Sequence, residues 1–157
     1  MKHGKYNAGI LAGVVLMAIL LFPGCGSAPA KDLKSFRFSY STGNMMNASV
    51  SYELRFSDGV YTAIVKPDGV SEEEASVYTV DDHFVRELEA FLQENHVERW
   101  NNFHKTNKHV LDGNGFGLSY WTKDGRDVSA SGYMKWPKNY SAVKSGIESI
   151  FGVLSEE

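Results

Sequence analysis

The chain has 157 residues, of which 43% are hydrophobic and 22% charged, and its 16 basic and 19 acidic side chains give a net charge of -3. That balance excludes a disordered chain, a collagen-like chain and a multi-span membrane protein. The acidic excess argues against nucleic acid as the main partner, because phosphate binding needs a basic footprint. The single cysteine excludes an internal disulfide and a cysteine-based zinc cage.

Lys2 and Lys5 precede an apolar run of 15 residues, Ala8 to Phe22, which Pro23-Gly24 ends. A membrane span needs about 20 residues. A positive start, a short apolar stretch and then small residues is the pattern of a secretory signal. Cys25 follows at once, in Leu20-Leu21-Phe22-Pro23-Gly24-Cys25-Gly26. This segment resembles the lipobox of bacterial lipoprotein precursors, in which Gly or Ala followed by Cys ends the signal. Gly24 and Cys25 match the motif, while Phe22 and Pro23 stand where the family carries Leu or Val and a small residue.

The resemblance implies that residues 1–24 are a signal peptide. It implies that the Cys25 sulfur takes a diacylglyceryl group built from fatty acids such as palmitate, and that cleavage leaves Cys25 first. Residues 25–34 would then be the lipidated cysteine and a polar tether, and residues 35–157 a single α+β domain. Two acyl chains hold a protein stably where one does so only marginally. The expected location is the extracytoplasmic side of the cell membrane, in the bacterial envelope. Two alternatives stay open: cleavage at Ala28-Pro29-Ala30, which would free a chain starting at Lys31, and an uncut signal serving as the anchor.

Within the domain, Phe36, Phe38 and Tyr40 alternate with Arg37 and Ser39, which predicts a half-buried strand over 35–40. Val50, Tyr52, Leu54 and Phe56 repeat the alternation over 48–56, Asp58-Gly59 turns the chain, and 60–65 returns. Asp-Gly between alternating runs is a strong hairpin signal. Glu72-Glu73-Glu74 reads as a solvated loop and 75–80 as a short further strand. Asp81 or Asp82 can cap a helix with Phe84, Leu88, Phe91 and Leu92 on one face, ending at Asn95. The stretch 97–110 reads as an irregular connector.

A second hairpin follows. Phe116, Leu118 and Tyr120 form one face, Asp124-Gly125 the turn, and 126–133 the return strand. Pro137 ends the sheet, and Asn139 can cap a last helix whose stripe is Tyr140, Val143, Ile147, Ile150, Phe151 and Leu154. The order predicts an α+β fold: an antiparallel sheet of about five to six strands with two amphipathic helices mainly on one face.

The stretch 97–154 resembles the C-terminal half of an uncharacterised family of bacterial lipoproteins. The residues that carry the likeness are Trp100-Asn101-Asn102-Phe103, Val110-Leu111-Asp112-Gly113, and Gly132 followed by Trp136-Pro137-Lys138-Asn139-Tyr140. It implies a fold and no chemistry.

Few residues suggest a reaction. Asp112-Gly113-Asn114-Gly115 starts like a calcium loop but has Phe116 and Lys123 where oxygen ligands belong. The histidines form no metal-binding pair, so no metal and no cofactor are expected. Trp121 and Tyr133 fall on the face opposite Phe116, Leu118 and Tyr120, and with Trp136 they are the candidate binding surface for a protein, peptide or glycan. The competing reading has these rings covering a small second core under the Trp100 connector. The function expected is a membrane-anchored, non-enzymatic binding or envelope-associated module. The alternatives are a hydrolase-type enzyme using His109 and Asp112, or an inhibitor of an extracellular enzyme.

Overall fold

The computed structural model of the protein describes residues 29–43, 49–67 and 69–155. Cys25 and the apolar run before it, with the expected signal and its lipidation, lie outside the described residues. The fold is α+β. Its strands are β1 (Leu33–Ser41), β2 (Val50–Ser57), β3 (Val60–Pro67), β4 (Ser76–Val80), β5 (Phe103–Thr106), β6 (Gly115–Thr122) and β7 (Asp127–Tyr133). Its helices are α1 (Asp82–Glu94) and α2 (Tyr140–Gly152).

The seven strands make one sheet in the order β4-β3-β2-β1-β6-β7-β5. That exceeds the five to six strands expected, and the sheet is mixed rather than purely antiparallel. The added member is β5, four residues inside the supposed connector, which pairs in parallel with β7 through Phe103↔Ala130 and Thr106↔Tyr133. Every other pairing is antiparallel.

β1 lies at the centre, between the two hairpins. Phe36 faces Leu54 on one side and Tyr120 on the other, and Phe38 faces Tyr52 and Leu118. All six are buried. The intervening residues Arg37, Ser39, Glu53 and Ser119 face away from them, as period-2 geometry demands.

The turn between β2 and β3 uses Asp58 (φ 53°) and Gly59 (φ 83°), the two left-handed residues that bring antiparallel strands back without splaying them. The turn between β6 and β7 is held by Asp124. Its carboxylate accepts from the Thr122 hydroxyl and from Arg126 Nε, the latter at 2.9 Å.

The Asp81 carboxylate caps α1, accepting from the backbone N–H groups of His83 and Phe84 at 3.0 Å each. These bonds hold its pKa below the ordinary 3.8, with the Phe84 N–H the larger cause. Phe84, Val85, Leu88 and Leu92 bury one side of α1, and Val143, Ile147, Ile150 and Phe151 one side of α2. The Phe151 ring meets Phe36 of β1, Tyr52 of β2 and Phe84 of α1, with centroids 6.3, 5.3 and 5.3 Å apart.

The ordered fold starts before Ser35. Ala30 and Leu33 are 1% and 0% exposed. Gln93 Nε2 donates to the Ala30 carbonyl at 2.6 Å, Leu33 N donates to Glu89 Oε1 at 2.7 Å, and Tyr61 OH donates to the Leu33 carbonyl at 2.8 Å. Most of what reads in sequence as the end of a tether is thus fastened to α1, β3 and the sheet. The register shifts between Leu33 and Ser35. The extra residue lets Leu33 point inward although it is three positions from Phe36.

Candidate functional site

The two connectors that flank the helices converge. One is the segment from Asn95 to Phe103, which includes a 3-10 turn at Val97–Trp100, and the other runs from Trp136 to Asn139. Trp100 Nε1 donates to the Lys138 carbonyl at 3.1 Å, tying them together. Trp100 and Trp136 belong to two of the sequence segments noted above, so residues 36 apart in the chain wall the same cleft. Its volume is about 260 Å3, and its walls are Trp100, Phe103 and Trp136, with His96, Arg99 and Lys138 on the rim.

Trp136 is 39% exposed. It stacks on Tyr140 with centroids 4.5 Å apart and an interplanar angle of 26°. Behind that pair, Tyr140 lies 4.9 Å from Phe116, which in turn meets Trp100 at 5.9 Å. Burial pushes the Tyr140 hydroxyl up to about 12, with Glu148 adding to the shift. The result is a part-exposed indole on an aromatic stack beside Lys138 and beside His96 and Arg99, which both approach Glu98, at 3.4 and 3.7 Å. Such a surface suits a flat, polar-edged ligand.

The backbone around this cleft is unusual. His96, Asn102, Met134 and Asn139 all have positive φ, at 52°, 63°, 50° and 63°. Asn and His tolerate this region, while Met rarely adopts it. Met134 reverses the chain after β7 and is held by its N–H, which donates to the Asn114 carbonyl at 2.9 Å. Asn139 occupies the cap position of α2 without a side-chain cap bond, contrary to its expected capping role.

The structure does not gather Trp121, Tyr133 and Trp136 into one surface. Trp121 and Tyr133 both face away from Leu118 and Tyr120. Trp121, however, pairs with Asp127 at one end of β7, and Tyr133 lies at the other. At about 3.4 Å per residue they are about 20 Å apart. Trp121 is 51% exposed. Tyr133 is half-buried, and its hydroxyl accepts from Gly113 N and donates to the Leu111 carbonyl, each at 2.7 Å. Trp136 lies on the opposite side, against Phe116. The period-2 pattern stops at Tyr133, and the turn at Met134 carries the indole over to the side of the buried rings.

His109 and Asp112 are both exposed, and among the described residues no hydrogen bond or ion pair joins their side chains. The His109 N–H instead donates to Asn107 Oδ1 at 3.2 Å. Among the described residues no group of three His, Cys, Asp or Glu could hold a metal, and no helix is long and apolar enough to cross a membrane.

A second depression of about 510 Å3 opens at the far end of β1 from Leu33. Its lining includes Arg37, Ser39, Ser51, Lys66, Gly115 and Gly117. Half-buried Tyr40 and buried Phe116 also line it, and Arg37 is turned to Glu53 at 3.5 Å. Its residues come from five strands, so no single stretch of sequence marks it. No family model, curated protein or solved structure matches the chain.

Proposed function

We propose that the protein is a lipid-anchored extracytoplasmic binding module, acylated at Cys25 and taking a peptide or glycan in the Trp100–Trp136 cleft. In this reading both helices cover one face of the sheet, and the cleft lies where their connectors meet. The observation that carries it is the exposed Trp136 face, stacked on Tyr140 above a rim of His96, Arg99 and Lys138. A volume of about 260 Å3 falls just below the usual range for small-molecule sites, about 300–1,000 Å3. It fits one ring-sized unit of a longer chain, such as a sugar residue or a side chain. The lone cysteine directly after the apolar run supports the anchor.

Two experiments test the reading. Labelling cells with an alkyne fatty acid should mark the wild-type chain and leave Cys25→Ala unmarked. Glycan and peptide arrays probed with the full chain in detergent should give binding that Trp136→Ala abolishes and Trp121→Ala retains. Equal binding by wild type and Trp136→Ala would overturn the assignment of the cleft.

A further inference from the structure

The described chain starts beside one end of the sheet, and that end carries exposed apolar groups. Lys123 N donates to the Asp32 carbonyl at 2.7 Å, which fixes the start of β1 next to the end of β6. Two residues before Lys123 stands Trp121, 51% exposed, whose register partners are Ser35 and Asp127. Val60, 45% exposed, lies at the same end of the sheet, where it pairs with Ser57.

Cys25 is five residues from the buried Ala30. A chain spans at most about 3.3–3.6 Å per residue, so the separation is at most about 18 Å. That is two to three times the depth of one headgroup layer, about 5–8 Å, and well under the full bilayer thickness of about 40–45 Å. An acylated Cys25 therefore keeps this end of the sheet within reach of the bilayer surface.

We infer that the end of the sheet bearing Trp121 and Val60 rests on the bilayer that holds Cys25, with the Trp121 indole in the headgroup layer. The inference rests on the lipid-anchor reading. Indoles favour that layer, having an apolar body and a polar edge. Lys31, Lys34 and Lys123 are exposed nearby, but Asp32, Asp58 and Asp127 offset them. The ring and the short tether, rather than charge, therefore hold the contact.

The test uses the full chain made with its own signal, extracted from membranes and reconstituted in phosphatidylcholine vesicles whose acyl chains are brominated close to the headgroup. Intact mass first reports whether Cys25 is acylated. Acylated protein should show tryptophan quenching that disappears in Trp121→Phe, with the same near-ultraviolet circular dichroism in both, and anionic lipid should change it little. Acylated protein with equal quenching in wild type and Trp121→Phe overturns the orientation and leaves the anchor standing. Protein found without acyl groups overturns both.

Discussion

Gly146 of α2 and Phe91 of α1 occupy adjoining space so closely that a Cβ on Gly146 would lie 2.0 Å from Phe91 Cζ. The missing side chain is what lets the Phe91 ring lie against α2. Adding a methyl group forces that ring outward, at a cost of about 1–3 kcal/mol, against a gain in helix propensity of about 1 kcal/mol. Gly146→Ala should therefore lower stability in urea by about 1 kcal/mol net. In a Phe91→Ala background the same change should become stabilising. A destabilisation that persists without the ring would show that the two residues are not coupled.

Gly132 presents a harder limit. A Cβ there would meet the Lys135 carbonyl oxygen at 2.1 Å and Phe116 Cε1 at 2.5 Å. The first neighbour is backbone and cannot swing away, and its turn is the one that carries Trp136 over Phe116. Gly132→Ala should cost about 3 kcal/mol and open the cleft. Chemical denaturation measures the first effect, and a red shift of tryptophan emission, as Trp136 leaves its stack, measures the second.

Acid should weaken the β6–β7 turn. The hydrogen bond from Arg126, followed by that from Thr122, holds the Asp124 carboxyl at about 2, below the ordinary 3.8. A depressed carboxylate pKa gives stability that is present above the unfolded value and lost as pH falls through the folded one. The contribution should be whole above about pH 4 and decline toward pH 2. Asp81, depressed by its cap bonds, acts with the same sign. In melting curves taken against pH, Asp81→Asn and Asp124→Asn should each flatten the acid limb, and an unchanged slope in both would refute the assignment.

Cleavage after Ala30 would remove a buried residue and the carbonyl that Gln93 Nε2 binds. A chain starting at Lys31 should be less stable than one starting at Gly26 by about 1–3 kcal/mol, from the lost bond and the apolar burial. Gln93→Ala should destabilise the longer chain and leave the shorter one unaffected. Equal stability of the two chains would mean that Ala30 adds nothing to the fold.

Alkaline titration reads the core from the other direction. Burial first, and then the hydrogen bond to Glu148, pushes the Tyr40 hydroxyl up to about 12, while burial raises Tyr140 to a similar value. A raised phenol pKa gives stability that is whole below the unfolded value of 10 and lost as pH rises toward the folded one. Phenolate absorbance of the folded protein should therefore leave these two tyrosines un-ionised at pH values where denatured protein is fully titrated.

Both hairpins and both helices were legible in the sequence because each is written in local chemistry. Asp58-Gly59 and Asp124-Gly125 mark turns, and Val143, Ile147, Ile150 and Phe151 recur at helical spacing. β5 was not legible: it is a parallel edge strand of four residues, with only Phe103 even half-buried. The start of β1 was hidden by the register shift, since strict alternation from Phe36 would turn Lys34 inward and Leu33 outward. The site was half visible. Trp136 was singled out, but its side of the sheet depends on the left-handed turn at Met134, and nothing in a methionine signals positive φ. Trp100, its partner across the cleft, stands in a motif of the family likeness but reads in sequence as part of a connector, with nothing to place it beside Trp136.

The central position of β1 imposes an order on assembly. This strand leaves the ribosome before all the others, and its first neighbour follows within the same hairpin-rich stretch. Its second neighbour, β6, does not exist until Gly115 has been made. Until then one flank of the strand that both halves share is unsealed, with its backbone donors and acceptors open to any passing chain. A stop codon ahead of Gly115 should thus leave an adhesive fragment rather than a smaller working protein.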